Sequence, residues 1–223
     1  MKRDKKVTVF SKDTKFLLAL HSSTDTFGIG IIQIDKSGIL FKDSIIEVKR
    51  DLSNHLFKFI EEILPSIFWN QIKRLSVATG PGGYTGTRIS VVFARTLAQQ
   101  LNCPIDGVSS FQLMAHRVPN EFISQHPEQP FWVTQPLKRR GIVAGQYKVI
   151  SPERKYIEIK ELKYPHLLPL DSKVSPSFEI SENVEKDLKR LLNISFNLYQ
   201  EKKKGAWQDI VPIYPTSPIR NIP

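Results

Sequence analysis

A strand-like run at residues 75–79, a glycine loop at 80–86 and an amphipathic stretch at 85–101 follow one another without a gap, and few folds accept that succession. The run Leu75-Ser76-Val77-Ala78-Thr79 is short, free of charge and closed by glycine, which reads as a strand. Gly80-Pro81-Gly82-Gly83-Tyr84-Thr85-Gly86 holds four glycines in seven positions, so the backbone can turn sharply and present amides at a helix start. Ile89, Val92, Phe93 and Leu97 then recur at helical spacing, with Val92 on the apolar side. A strand that passes directly into a helix is half of a crossover unit. The next strand pairs parallel to the first, and helices cover the sheet, which is an α/β fold.

The flanking chain supports that order. Residues 16–21, 27–35 and 39–48 read as three strands of an antiparallel meander, turning at Lys36-Ser37-Gly38. Ser53 is the expected N-cap of helix one, whose apolar positions Leu56, Ile60, Ile63 and Ile67 are widened by Phe57, Phe59 and Leu64. A short strand ends at Val108, and Ser109 caps a helix to about His116. Further on, 131–134, 142–150 and 156–162 read as strands and 181–199 as an amphipathic helix. Eight of 11 glycines precede position 110 and twelve of 15 prolines follow position 118, which predicts an ordered first subdomain over 16–118 and a looser, smaller second one over 119–223. Residues 1–15 are expected to be a mobile basic extension.

With 223 residues, 40% of them hydrophobic, the chain can bury a sizeable core. Its single cysteine, Cys103, excludes an intramolecular disulfide framework, and no apolar run reaches the ~18 residues of a membrane span, so a cytoplasmic protein without membrane contact is expected. Lys and Arg outnumber Asp and Glu by 32 to 22, a net +10, which suits a polyanion or an acidic protein face as partner and suits equally simple solubility. Lys138, Arg139 and Arg140 form one basic cluster and Lys202, Lys203 and Lys204 another.

The loop residues Gly80, Gly82, Gly83, Thr85 and Gly86 suit an anion at a helix N-terminus, and suit equally a tight connection that needs glycine only for its dihedrals. It is neither a Walker A loop nor a dinucleotide fingerprint. Gly86, Ser90, Ala94 and Ala98 recur every four residues, a ridge of small side chains where another helix can come close. Helix one of the same chain and a helix of another subunit both remain open as the neighbour, with Arg88 and Arg95 flanking the seam. No His pair at metal spacing and no Asp/Glu cluster occurs among His21, His55, His116, His126, His166 and the carboxylates, so no metal site is expected; nor is a nucleophile elbow present.

The strand, loop and helix from Leu75 through Gly80-Pro81-Gly82, Thr85-Gly86 and Arg88-Ile89 closely resemble the signature of the bacterial TsaB (YeaZ) family, a subunit of the machinery that makes threonylcarbamoyladenosine at position 37 of tRNA. The likeness extends to 18–27, to Asn54-His55-Leu56 and to Gly107-Val108-Ser109-Ser110, and thins beyond Pro119. It implies an actin-like, ribonuclease-H-like fold and a non-catalytic subunit that binds and activates a TsaD-type transferase through helices one and two. Leu56, Phe59, Ile60, Ile63, Ile67, Arg88, Ser90, Ala94, Arg95, Ala98 and Gln99 are the partner-binding residues that follow. A TsaE-type ATPase and a weak homodimer are implied as further associations, and tRNA indirectly, with Lys138, Arg139 and Arg140 as phosphate contacts. No resident cofactor is expected, ATP or ADP at a subunit interface being left open.

Two departures from the family pattern bear on chemistry. His21 stands where the family usually has Asp, the carboxylate that organises metal and water in actin-like ATPases, and residues 137–143 lack the Asp and Glu usual there. The alternative to a scaffold is an actin-like ATP-binding phosphotransferase or ATPase using the Gly80–Gly86 loop, with Asp25 or Asp35 as its magnesium carboxylate.

Overall fold

The computed structural model describes residues 10–22, 25–48, 51–137, 140–150, 157–169 and 171–215. Strands β1 (Lys15–Ser22), β2 (Thr26–Asp35) and β3 (Gly38–Glu47) form the meander, and β4 (Ile72–Ala78) and β5 (Ile105–Val108) complete a five-stranded sheet in the order β3-β2-β1-β4-β5. The pairs β1/β2 and β2/β3 are antiparallel, whereas β1/β4 and β4/β5 are parallel, as the crossover through the glycine loop demands. This mixed sheet is the actin-like, ribonuclease-H-like arrangement.

Period-two alternation in β1 splits the core between the faces of the sheet. Phe16, Leu18 and Leu20 meet α1 (Leu52–Ile63) and α2 (Tyr84–Leu101), while Leu17 and Ala19 meet α5 (Val184–Gln200). A Cβ on Gly30 of β2 would stand 2.6 Å from Leu192 Cδ1, so glycine there lets α5 settle onto the sheet. The long C-terminal helix, expected within the second subdomain, is thus the back layer of the first sheet.

Between these elements lie α3 (Ser110–Ala115) and α4 (Asn120–Gln125), then a second sheet, β8-β7-β6-β9, from β6 (Phe131–Leu137), β7 (Gly141–Val149), β8 (Ile159–Leu168) and β9 (Ser177–Glu179). Ser109 caps α3 as expected, accepting from Gln112 N at 3.0 Å. Its hydroxyl also donates to Glu161 of β8 at 2.5 Å, and Tyr147 of β7 donates to the same oxygen at 2.8 Å. This triplet ties the end of β5 to the second sheet, and burial raises the Glu161 and Tyr147 pKa values above their ordinary ones.

Three expectations give way. Ser53 is exposed inside the first turn of α1; Asp51 holds the N-cap position and accepts from the Asn54 side chain at 2.6 Å. Helix one stops at Ile63 because Leu64 is extended ahead of Pro65, so Ile67 falls in a separate 3-10 turn, Ser66–Gln71. β8 runs on to Leu168 through Pro165, which an edge strand tolerates because its outer side needs no ladder donor. Two elements, α4 and the three-residue β9, are too short for periodicity to reveal.

Candidate functional site

At Gly80 the backbone adopts φ +93°, a conformation that favours glycine. The chain's own tail lies across this loop. Ile213 N donates to Thr79 O at 2.8 Å, and a Cβ on Gly80 would sit 3.2 Å from Ile213 O. Ser110 N takes the Gly80 carbonyl at 2.8 Å, and the Tyr214 ring packs 5.1 Å from Tyr84 at the start of α2. Gly82 and Thr85 stay exposed, Gly83 is half-buried in the N-cap position of α2, and Gly86 is pressed against Ser22 at the end of β1. Gly80 and Gly86 are thus held in a tight connection, the tail lying across Thr79 and Gly80 while Gly82 and Thr85 stay open to water.

Beside the loop, His21 closes β1 on the α5 side of the sheet. It is 1% exposed and neither ring nitrogen has a hydrogen-bond partner among the described residues. Burial, with the nearby Arg117 cation second, lowers its pKa from 6.5 to about 4. Arg117 is itself held by Asp187 of α5 through two bonds of 3.1 Å. A neutral, enclosed imidazole is no substitute for a magnesium carboxylate. Of the other candidates, Asp35 lies in the β2/β3 turn at the opposite end of the sheet, accepting from Ser37 and Gln33, and its position removes it from the loop. Asp25 lines a shallow hollow with Glu182, Asn183 and Glu185 on the β2 side of β1, whereas the loop follows β4 on the other side. Among the described residues no three His, Cys, Asp or Glu side chains come together. Cys103 is half-buried, and burial pushes its thiol up to about 11.

His21 has a signature in stability against pH. Its folded pKa is depressed, so the fold's preference for neutral imidazole is satisfied above pH 6.5 and lost as pH falls toward 4, because only the unfolded chain takes up the proton in that window. The full difference corresponds to about 3 kcal/mol. His116, lowered to about 3 by burial, adds to the same slope. A His21→Phe chain is expected to melt higher at pH 7, since an orphaned buried N–H disappears, and to lose less stability between pH 6.5 and 4. Denaturant titrations at both ends of the window check this; an unchanged slope refutes it.

The small-residue ridge of α2 turns inward. Ser90 and Ala94 are 0% and Ala98 is 1% exposed, packed with Leu56, Ile60 and Ile63 of α1 and with the sheet, so these six belong to the chain's own core and not to a free surface. The spacing allowed this outcome, because a sheet and a neighbouring helix need the same close approach as another subunit. Phe59 is half-buried, stacked 6.4 Å from Phe27 and 5.8 Å from His55. What faces outward is different. Phe57 is 65%, Ile67 71% and Val92 59% exposed, and Arg88, Arg95 and Gln99 lie along the outer side of α2. Phe57 makes ring contacts with Phe93 at 5.2 Å and Trp69 at 6.4 Å, and Trp69 meets Phe93 at 6.0 Å. An aromatic ledge thus spans α1, the 3-10 turn and α2. Trp69 follows the proline break and so carries no periodic signal, whereas Phe57 and Val92 lie on the apolar sides that helical spacing predicts and yet face water. Lys138 and Arg139 lie outside the described residues, and Arg140 is exposed in the turn after β6.

Comparisons with known proteins bear on the fold and the family. The family described as "TsaD: tRNA N6-adenosine threonylcarbamoyltransferase" matches over residues 46–189. The tRNA threonylcarbamoyladenosine biosynthesis protein TsaB of Buchnera aphidicola subsp. Acyrthosiphon pisum is 26% identical over 208 residues, covering 86% of this chain and 92% of that protein. TsaB of Bacillus subtilis is 33% identical over 101 residues, 44% of this chain and 43% of that one. The solved structure of YeaZ from Pseudomonas aeruginosa has 16% identity and a TM-score of 0.60, over 90% of this chain and 99% of that one, which supports the fold. A second structure, of an uncharacterized protein similar to peptidase YEAZ from the same organism, gives 0.64 at 16% identity over 91% and 100%. No helix among the described residues is long and apolar enough to cross a membrane. The chain belongs to the TsaD family of tRNA N6-adenosine threonylcarbamoyltransferases, and within it to the TsaB (YeaZ) group.

Proposed function

We propose that this chain takes part in threonylcarbamoyladenosine synthesis on tRNA as a non-catalytic subunit, which binds a TsaD-type transferase through the outer face of α1 and α2 and orders that partner's active site. The observation that carries this reading is the aromatic ledge with Phe57, Ile67 and Val92 largely in water. Exposed apolar side chains grouped on one face mark an association surface, and each contributes about 1.5–3 kcal/mol when fully covered. The inward ridge supports the role indirectly, since Leu56, Ile60, Ile63, Ser90, Ala94 and Ala98 hold the two helices at fixed spacing on the sheet. The neutral His21 and the tail over the glycine loop weigh against phosphate chemistry of the chain's own.

A TsaE-type ATPase joins the pair, and a weak homodimer uses the same face when the transferase is absent. Arg140, with Lys138 and Arg139, supplies phosphate contacts to tRNA held chiefly by the transferase. Co-purification with the TsaD homologue of the same organism tests the reading. A stoichiometric heterodimer on sizing is expected; separate elution, with the transferase fully active alone, refutes it.

A further inference from the structure

Beyond α5 the chain crosses the front of the molecule as a strap. Arg74, 2% exposed, pairs with Asp106 at 2.6 and 2.8 Å and donates to Lys203 O at 2.7 Å, which fixes where the strap begins. Ile210 then packs over Gly107, where a Cβ would lie 3.0 Å from Ile210 Cδ1, and Ile213 bonds to Thr79. Two aromatic side chains of the strap reach α2. The Trp207 ring lies 6.0 Å from the Arg95 guanidinium, and Tyr214 packs on Tyr84, whose hydroxyl accepts from Arg88 Nη1 at 2.7 Å.

Tyr84, Arg88, Val92, Arg95 and Gln99 share one stripe of α2, at spacings of four, four, three and four. Arg88 and Arg95 are therefore two turns apart, about 10 Å along the axis. Neither is ion-paired among the described residues. Each rests on an aromatic group that the strap supplies or supports, and Val92 stands between them. A cation held over a ring loses little further freedom when it meets a carboxylate.

We infer that the strap, through Trp207 and Tyr214, braces Arg88 and Arg95 as a fixed pair of cations that accepts carboxylates two helical turns apart on the transferase partner, with the partner's apolar side chains over Val92. This rests on the proposed docking of α1 and α2 and adds its chemistry. Two guanidiniums seven residues apart match acidic side chains at positions i and i+7 of a facing helix, and such pairing sets register where an apolar ledge alone does not. Trp207 and Tyr214 are thus positioning residues.

Calorimetric titration of the full chain with the transferase, at low and high salt, tests this. Arg88→Gln with Arg95→Gln is expected to weaken binding by about a hundredfold at low salt and to flatten its salt dependence. Trp207→Ala with Tyr214→Ala is expected to weaken it by roughly tenfold while the salt slope remains, because the charges persist but must be ordered on binding. Trp207→Phe with Tyr214→Phe should restore wild-type affinity, whereas failure of this ring-preserving pair to do so assigns the loss to altered strap packing and overturns the bracing. Wild-type affinity and salt slope in the arginine variant, alongside lost binding in Phe57→Asp, overturns the inference and leaves the docking face standing. Undiminished binding in Phe57→Asp overturns both. If the arginine variant breaks only self-association, the carboxylates belong to a second copy of this chain and the inference fails as stated.

Discussion

A chain carrying Phe57→Asp and Val92→Asp is expected to fold, to elute as a monomer and to bind the transferase at least a thousandfold more weakly. The two side chains are 65% and 59% exposed, so in the free chain a carboxylate at either position stays in water. Loss of the Phe57 ring contacts with Phe93 and Trp69 costs about 1 kcal/mol, and Val92 sits where substitutions usually change stability by ~0.5 kcal/mol or less. In a complex both carboxylates would be stripped of water against apolar surface. Central apolar anchors are worth about 2 kcal/mol or more each, and the desolvation of two charges adds to that, so the sum passes the ~4 kcal/mol that a thousandfold represents. Melting curves and titrations of the same preparations separate the two effects. Retained affinity with an intact fold would move the docking face elsewhere, and loss of fold would show the ledge to be core.

Much of the first sheet is legible in the residues. A glycine-bounded apolar strand leading into a helix fixes parallel pairing of β4, and the turn at Lys36-Ser37-Gly38 fixes the β2/β3 hairpin, because these signals are local. Which surface covers which is harder. Apolar periodicity marks a face without naming its neighbour, so α5 reads as amphipathic while its place against Gly30 depends on residues some 160 positions earlier. The strap carries no periodic signal at all: Trp207, Ile210 and Ile213 are isolated apolar residues whose partners, Arg95, Gly107 and Thr79, come from three separate elements. Helix one illustrates a third failure. The spacing 56, 60, 63, 67 continues helically through Pro65, yet the backbone restriction that proline places on Leu64 ends the helix and swings Ile67 into water.

The glycine motif shows how one stretch can signal family without fixing chemistry. Its residues identify the group to which the chain belongs, but the amide cradle expected of a phosphate loop depends on what lies over it. Here the chain's own Ile213 and Tyr214 lie over Thr79, Gly80 and Tyr84, and Gly82 and Thr85 stay exposed. A loop crossed at Thr79 and Gly80 by its own tail can transmit position from the sheet to α2, and the strap links that loop to Arg88 and Arg95 through Tyr214 and Trp207.

Ala94→Trp should have the opposite outcome to the ledge variant, although the two sites lie on one helix. Ala94 is 0% exposed and packs in the cluster formed by α1, α2 and the first sheet, with no space for an indole. Overpacking a closed core costs about 1–3 kcal/mol for extra methylenes, and an indole in place of a methyl lies beyond that range. A loss of about 5 kcal/mol would lower the melting temperature by roughly 10–20 °C in a chain of this size, a large share of the ~5–15 kcal/mol that holds a domain together. Val92→Trp, two residues away and outward, provides the control: its melting temperature should stay within a few degrees of wild type. Circular dichroism melts of the two variants decide the matter. If Ala94→Trp melts normally, the inward assignment of α2 is wrong; if it melts early while Val92→Trp does not, α2 turns its small residues to its own sheet and leaves Val92 in water.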